Sequence, residues 1–168
     1  MLVDNKWVPT FPNARYLLGR VEYQATQARD QDATFDDSRS RGMRVVAEES
    51  LTPILDAGLV DFVETDHVVC DELRLIPSQG HTAGHVSVRI ASNSEEALIT
   101  GDFIHHPCQL AHPEWASPVD FDQSQSTATR QRLFAELAGT LTLIIGSHFA
   151  DPSADHIVRA GSAYRLDI

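Results

Sequence analysis

The stretch LRLIPSQGHTAGHVSVRIASNSEEALITGD, residues 73–102, decides the fold class. Apolar residues alternate with polar ones over residues 73–77 and 86–90, which predicts two half-buried β-strands. The short apolar runs ALIT at 97–100 and LTLIIG at 141–146 predict two further strands that are buried on both faces. The middle and end of the chain therefore form a sheet.

Helical spacing of apolar residues predicts two helices beside these strands. The first covers residues 43–55, where we expect Pro53 to kink or restart the helix with Thr52 as N-cap, and Gly58 to end it. The second covers residues 124–138 and ends before a glycine.

The remaining segments carry weaker patterns. Residues 16–18 are a possible strand, the polar stretch 30–41 is typical of a solvated loop, and Gly161 marks a hairpin turn in the C-terminal tail. Together the elements predict an α/β protein with a strand-rich second half. The length of 168 residues is that of one domain, which we assign to residues 1–168.

Composition and charge exclude several classes of protein. The chain has 13 basic and 24 acidic residues, a net charge of −11, which argues against nucleic acid and anionic membranes as partners. No apolar run is long enough to span a bilayer, and the N-terminus shows no signal peptide. The two cysteines lack metal-site spacing. We expect a cytoplasmic protein that acts on a small molecule.

Three predicted strands end in the same way, with a glycine followed by a side chain that can bind a metal. Gly80 precedes His81, Gly101 precedes Asp102, and Gly146-Ser147 precedes His148. Because ligands gather at the carboxyl ends of strands, these ends could bring two histidines and a carboxylate together. Such a set suits zinc, iron or manganese. Taken singly, each residue is better explained as a polar residue at a turn, but the repeated pattern favours a metal site for the three together.

The segment His81-Thr82-Ala83-Gly84-His85 resembles a helical histidine pair only superficially. Gly84 and the flanking strands disfavour a helix, so the two rings should point in different directions. We assign His81 to the metal and give His85 a supporting role beside the ligands. His105 and His106 follow Asp102 closely and could either line a substrate mouth or be ordinary polar loop residues.

The motifs GHTAGH at 80–85, GD at 101–102 and GSHF at 146–149 resemble the later motifs of metallo-β-lactamase-fold hydrolases. The similarity is greatest to the methyl parathion hydrolase-like and N-acyl homoserine lactonase-like branch, which the segments WVPTFPNARYL and DFIHHPCQ also resemble. The resemblance implies the C-terminal portion of an αββα sandwich with two zinc ions. In that site His81 would bind one ion, Asp102 would bridge both, and His148 would bind the other.

The same resemblance implies a metal-activated water that attacks an ester, lactone, thioester or phosphotriester, with Asp102 as the catalytic residue that holds the proton. The family's HxHxDH motif does not occur in this sequence. We therefore expect an N-terminally truncated domain with partial or weak zinc occupancy, which forms a homodimer or binds a complementing N-terminal segment. The alternative is a catalytically impaired remnant or interaction module that keeps only the second half of the fold.

Overall fold

The computed structural model describes residues 1–31 and 38–168. Contacts within the chain divide it into two compact units, Met1–Glu64 and Thr65–Ile168. The assignment of one domain to the whole chain stays a prediction. Among the described residues, no helix combines the length and the apolar character needed to cross a membrane.

The first unit contains two small sheets and a helical segment. A two-residue turn through Asp4 and Asn5, both with positive φ, joins the strands of an N-terminal hairpin. The second sheet pairs two parallel strands. The elements of this unit are β1 (Leu2–Val3), β2 (Lys6–Trp7), β3 (Tyr16–Gly19), α1 (Arg20–Gln31), α2 (Ser38–Val46), a π-helical turn (Ala47–Leu51), α3 (Thr52–Asp56) and β4 (Val60–Val63).

The helical segment of the first unit confirms two predictions and corrects two. Pro53 does start a new helix, because it lies in the first turn of α3, and Gly58 follows the end of that helix with φ +67°. Thr52 is not the N-cap: Leu51 takes that place, and the Thr52 hydroxyl donates to the Ala47 carbonyl instead. The predicted loop at 30–41 is wrong at both ends, which are helical, and its centre, residues 32–37, lies outside the described residues.

The second unit is built on one six-stranded sheet in the order β10-β9-β8-β7-β6-β5. Strands β5 to β8 form an antiparallel meander, and β9 pairs parallel to β8. Its elements are β5 (Val68–Cys70), β6 (Leu73–Pro77), β7 (Val86–Ser92), β8 (Glu95–Ile99), a 3₁₀ turn (Gly101–Phe103), α4 (Cys108–Ala111), α5 (Gln123–Leu137), β9 (Thr142–Ile145), β10 (Ala154–Asp155), β11 (Ile157–Ala160) and β12 (Ala163–Leu166).

These elements confirm the predicted α/β class. The alternating strands pair in register, with Leu75 opposite Val88 and Val88 opposite Ile99. The tail forms the predicted hairpin, β11–β12, with Gly161 in its turn. Parallel strands need a long crossover connection, and the chain between β8 and β9 supplies one that contains α5.

Helix α5 begins at a capped N-terminus, where the Asp122 carboxylate accepts a hydrogen bond from the Gln125 amide at 2.9 Å. Its buried face carries Leu133 and Phe134, which pack into the core of the second unit because they match the apolar face of the sheet. That core consists of Leu98, Phe103, Ile104, Leu110, Leu133, Phe134, Ile144, Phe149, Ile157 and Leu166. The helix and the strand ends are thus fixed relative to each other within this unit.

Candidate metal centre

The three glycine-led turns predicted from the sequence lie at one edge of the six-stranded sheet. Strands β6 and β8 run in the same direction, since each is antiparallel to β7, and β9 is parallel to β8. All three strands therefore end at the same edge. His81, Asp102 and His148 follow these ends, so the topology alone brings the three side chains to one place.

The Asp102 carboxylate is the centre of this group. Its Oδ2 lies 3.3 Å from Nε2 of His81, and its Oδ1 lies 3.1 Å from Nε2 of His148. His81 is largely buried, with 13% of its side chain exposed, whereas the Asp102 and His148 side chains are 37% and 49% exposed. The carboxylate thus offers one oxygen to each histidine, and the His148 side is the more open to solvent.

His81 is oriented by a buried carboxylate that the sequence reasoning missed. Nδ1 of His81 lies 3.0 Å from Oδ1 of Asp120, whose side chain is fully buried. The loop that carries Asp120 is held against His81, because the Phe121 amide donates to the His81 carbonyl at 3.0 Å and the Asp122 amide donates to the Gly80 carbonyl at 2.9 Å. An ionised Asp120 accepts only, so Nδ1 carries the proton and Nε2 faces Asp102.

Asp120 is held as a carboxylate by its surroundings. Burial opposes ionisation, but hydrogen bonds from His81, Ser126 and the Ser117 amide, together with the charge of Arg130, lower the pKa of Asp120 below its usual value. The Arg130 guanidinium is also fully buried, and its Nη1 lies 3.7 Å from Oδ2 of Asp120. Helix α5, through Arg130, therefore supports the carboxylate that orients His81.

His85 lies beside the group and supports Asp102 through the backbone. The Asp102 amide donates to Nε2 of His85 at 2.8 Å, so Nδ1 of His85 carries the ring proton. That nitrogen lies 2.8 Å from the Ser78 hydroxyl and 3.0 Å from the Ser78 carbonyl. A side chain at Gly101 would place its Cβ 2.7 Å from Nε2 of His85, which explains the glycine before Asp102.

His105 lies closer to the group than its neighbour His106, which is exposed. Ligand atoms of His81, Asp102 and His105 all lie within 4.8 Å of one another. Burial lowers the pKa of His105, and the neighbouring His81 and His148 lower it further against the opposing effect of Asp102 and Asp120. These surroundings favour the neutral ring, which is the form that binds metals.

Close packing also requires the glycines before His81 and His148, which are Gly80 and Gly146. Gly80 has φ +130°, a conformation open mainly to glycine, and a Cβ there would lie 2.3 Å from the backbone of Ser126 in the first turn of α5. A Cβ at Gly146 would lie 2.2 Å from the ring of Phe149. The glycines thus let helix α5 and Phe149 approach the strand ends that carry His81 and His148.

The residues of this cluster fit a divalent metal ion. Two ligands of a tetrahedral zinc, with bonds of about 2.0–2.1 Å, lie about 3.3 Å apart, and Nε2 of His81 lies 3.3 Å from the Asp102 carboxylate. Since Asp120 fixes the ring proton on Nδ1, a lone pair on Nε2 would face a carboxylate oxygen unless a cation or a second proton lay between them. Within the described part of the chain, Nδ1 of His105 is buried without a hydrogen-bond partner.

The second unit also contains a cavity, which lies away from the His/Asp cluster. The cavity, of about 550 Å³, lies beside the β7–β8 turn and the start of β9, and its lining includes Arg89, Glu96 and Leu141. That cavity is at the opposite end of the strands from Asp102. The lining of this cavity therefore includes no residue of the His/Asp cluster.

Comparison with solved structures identifies the fold. The chain matches hydrolase AbOPH of the β-lactamase superfamily with a TM-score of 0.80 and 22% identity, over 93% of this chain and 55% of that one. It matches AidC, a dizinc quorum-quenching lactonase in complex with a product, with a TM-score of 0.70 and 19% identity, over 96% and 58%. No protein-family model and no curated protein matches the chain.

A third structure with the same fold is an N-acyl homoserine lactone hydrolase whose product, N-hexanoyl-L-homoserine, is bound at the catalytic metal centre. It matches with a TM-score of 0.61 and 20% identity, over 84% of this chain and 50% of that one. The chain therefore has the metallo-β-lactamase fold, which confirms the resemblance that its motifs indicate. It spans about half the length of these solved structures.

Proposed function

We propose that the protein is a metal-dependent hydrolase that acts on an ester, lactone or related bond. The observation that carries this proposal is the convergence of His81, Asp102 and His148 at one sheet edge, with the Asp102 carboxylate between the two rings. The structures that share the fold include a dizinc lactonase and a lactone hydrolase with its product at a catalytic metal centre, and both act on small molecules.

The proposed ligands are His81, Asp102 and His148, and the proposed metal is zinc, bound weakly or at partial occupancy. A bound divalent cation would lower the pKa of a water molecule and polarise the substrate carbonyl. The chain's own residues have distinct tasks: Asp102 holds the proton released during attack, and Asp120 fixes the ring proton of His81 on Nδ1. The exposed ring of His106 lies next in the chain to His105, and we propose that both line the substrate mouth.

We also propose that the chain associates, as a homodimer or with a complementing segment, and that it acts in the cytoplasm. Strand β5 is at the edge of the six-stranded sheet in the described chain, and its residues Val68–Cys70 are all exposed. An exposed edge presents unpaired backbone groups and apolar side chains to another chain. A non-catalytic module built on the same fold would share this surface, so catalysis needs its own test.

The test is hydrolysis of chromogenic esters and of N-acyl homoserine lactones by the purified chain, with zinc and after treatment with a chelator. We expect turnover that the chelator abolishes and added zinc restores. Asp102→Asn should reduce kcat by at least about a hundredfold, since it removes both a ligand and the proton acceptor. Asp122→Asn is the matched control, because Asn caps a helix as well as Asp does.

Two results would contradict the proposal. Turnover that survives complete chelation would show that no metal takes part. Zinc binding without cleavage of any ester or lactone would support the alternative, a module that keeps the fold and the metal site but not the activity.

A further inference from the structure

The His105 ring occupies a position that the hydrogen bonds of the second unit leave unexplained. Its Nδ1 is buried without a hydrogen-bond partner in the described part of the chain. Buried polar groups are paired in nearly all native structures, so such a nitrogen calls for a partner. The residues that the structure describes do not supply that partner.

The position of His105 is fixed by its backbone. Its amide donates to Oε1 of the buried Gln109 at 2.7 Å, and Nε2 of Gln109 donates to the Trp115 carbonyl at 2.7 Å. This arrangement holds the turn after Asp102 in one conformation. His106, one residue further, is exposed and its Nδ1 accepts a hydrogen bond from the Cys108 amide. The two adjacent histidines are thus placed in different surroundings.

The His105 ring lies between the two histidines that flank Asp102. Its centroid is 5.0 Å from that of His81 and 5.3 Å from that of His148, with which it is stacked. One ligand atom from each of His81, Asp102 and His105 lies within 4.8 Å of the other two, and His148 does not belong to this set. Two imidazoles and one carboxylate are a complete set of protein ligands for a catalytic zinc.

We propose that His105 does more than line the substrate mouth and is a direct metal ligand, so that His81, Asp102 and His105 together bind one divalent cation of the zinc class. Asp102 would use Oδ2, the oxygen that faces His81, and would leave Oδ1 to His148. The cation beside His81 is then held by three residues of this chain, and the weak or partial occupancy of the proposed function is confined to the His148 side of Asp102. The inference rests on the metal of the proposed function but does not require hydrolysis.

The test measures cation binding in the full chain with zinc(II) by calorimetry and with cobalt(II) by visible absorption, which reports the ligand set. The variants are His105→Phe, His148→Phe and, as a matched control, His106→Phe. We expect one tightly bound cation per chain. Loss of a partner that only orients a ligand costs about 10–100-fold in affinity, so His105→Phe should weaken binding by at least about a hundredfold. His148→Phe should keep this cation, because it removes only the ligand on the other side of Asp102, and His106→Phe should keep it as well.

A misfolded variant is distinguished by unfolding without metal. His105→Phe should unfold at the wild-type temperature or higher, because it removes a buried unpaired nitrogen, while losing the stabilisation that zinc gives the wild type. Unchanged cation binding by His105→Phe, or no cation binding by the wild type, would overturn the inference. If binding depends on His105 but no substrate is cleaved, the inference holds and the proposed function fails. If chelator-sensitive hydrolysis occurs and His105→Phe binds zinc normally, the proposed function holds and the inference about His105 fails.

Discussion

Replacement of Asp120 by Asn removes a buried charge that serves both the fold and the site. The side chains of Asp120 and Arg130 are both fully buried, and 3.7 Å separates the guanidinium from the carboxylate. Asn has the same shape and can still accept the hydrogen bond from His81. What is lost is the negative charge beside Arg130 and one acceptor, the oxygen that receives the Ser117 amide at 3.0 Å.

The expected loss of stability follows from these contacts. Removal of one partner from a buried ion pair costs about 3–5 kcal/mol. Arg130 also donates to the carbonyls of Pro113 and Phe103 and to the hydroxyl of Ser126. These hydrogen bonds remain in Asp120→Asn, so the guanidinium is not left without partners. We therefore expect a loss at the lower end of this range, a decrease of about 3 kcal/mol in the free energy of unfolding. For a chain of this size that lowers Tm by roughly 6–12 °C.

The assay is urea unfolding at pH 7 and at pH 3 for the wild type and for Asp120→Asn, with Asp122→Asn as matched control. Because the pKa of Asp120 is lowered in the folded state, its stabilising effect is present above the ordinary value of 3.8 and is lost as the pH falls through the folded pKa. The difference between wild type and Asp120→Asn should therefore shrink at pH 3. Zinc affinity should also fall, by about 10–100-fold. If Asp120→Asn and Asp122→Asn are equally stable at pH 7, the reasoning is refuted.

Three further predictions concern other parts of the structure. Gly80→Ala should lower the free energy of unfolding by about 3 kcal/mol in thermal unfolding, because Gly80 has positive φ and the added Cβ would overlap the backbone of α5. Gly139 also has positive φ but has open space around it, so Gly139→Ala should cost only about 1 kcal/mol. Equal losses in the two variants would contradict the packing argument. The hydrogen bond from Arg89 lowers the pKa of Glu96 from its usual 4.5, so the stabilisation is present above that value and decreases as the pH falls below it. Glu96→Gln should therefore cost about 0.5 kcal/mol at pH 7 and less at pH 3 by urea unfolding, and a cost that is the same at both pH values would refute the linkage. Association through β5 should appear in light scattering as a mass that rises with concentration, and Val69→Lys should suppress it; a monomer at every concentration would exclude it.

Local patterns in the sequence predicted the part of the fold that depends on short-range physics. The alternation in residues 73–77 and 86–90 marks strands because one face of each is buried, and the apolar face of residues 124–138 marks α5, observed at Gln123–Leu137. Helix α1 was not predicted. Its sequence RVEYQATQARDQ is mostly polar and none of its residues is buried, so no apolar stripe distinguishes it from a loop.

The site was predictable only in part, for a physical reason. The glycine before each candidate ligand is a local signal, and it indicated His81, Asp102 and His148. Asp120 is 39 positions from His81 in the chain, and only the packing of α5 brings it to that ring. The difference between His105 and His106 also has no local pattern, because it depends on which side of the turn faces the strand ends.

Hydrogen bonds of the polypeptide itself position the residues of the cluster. A buried carboxylate and two backbone contacts orient His81, the ring of His85 fixes the backbone of Asp102, and Gln109 fixes His105. Each of these supports belongs to the second unit: Asp120 lies in the loop before α5, His85 lies just before β7, and Gln109 lies in α4. A ligand set that is ordered on folding loses little freedom when it binds an ion, which favours affinity and a defined geometry. A buried ion pair is often neutral for stability alone. Here the pair of Arg130 and Asp120 has a further role, because it connects helix α5 to the carboxylate that sets the direction of Nε2 of His81.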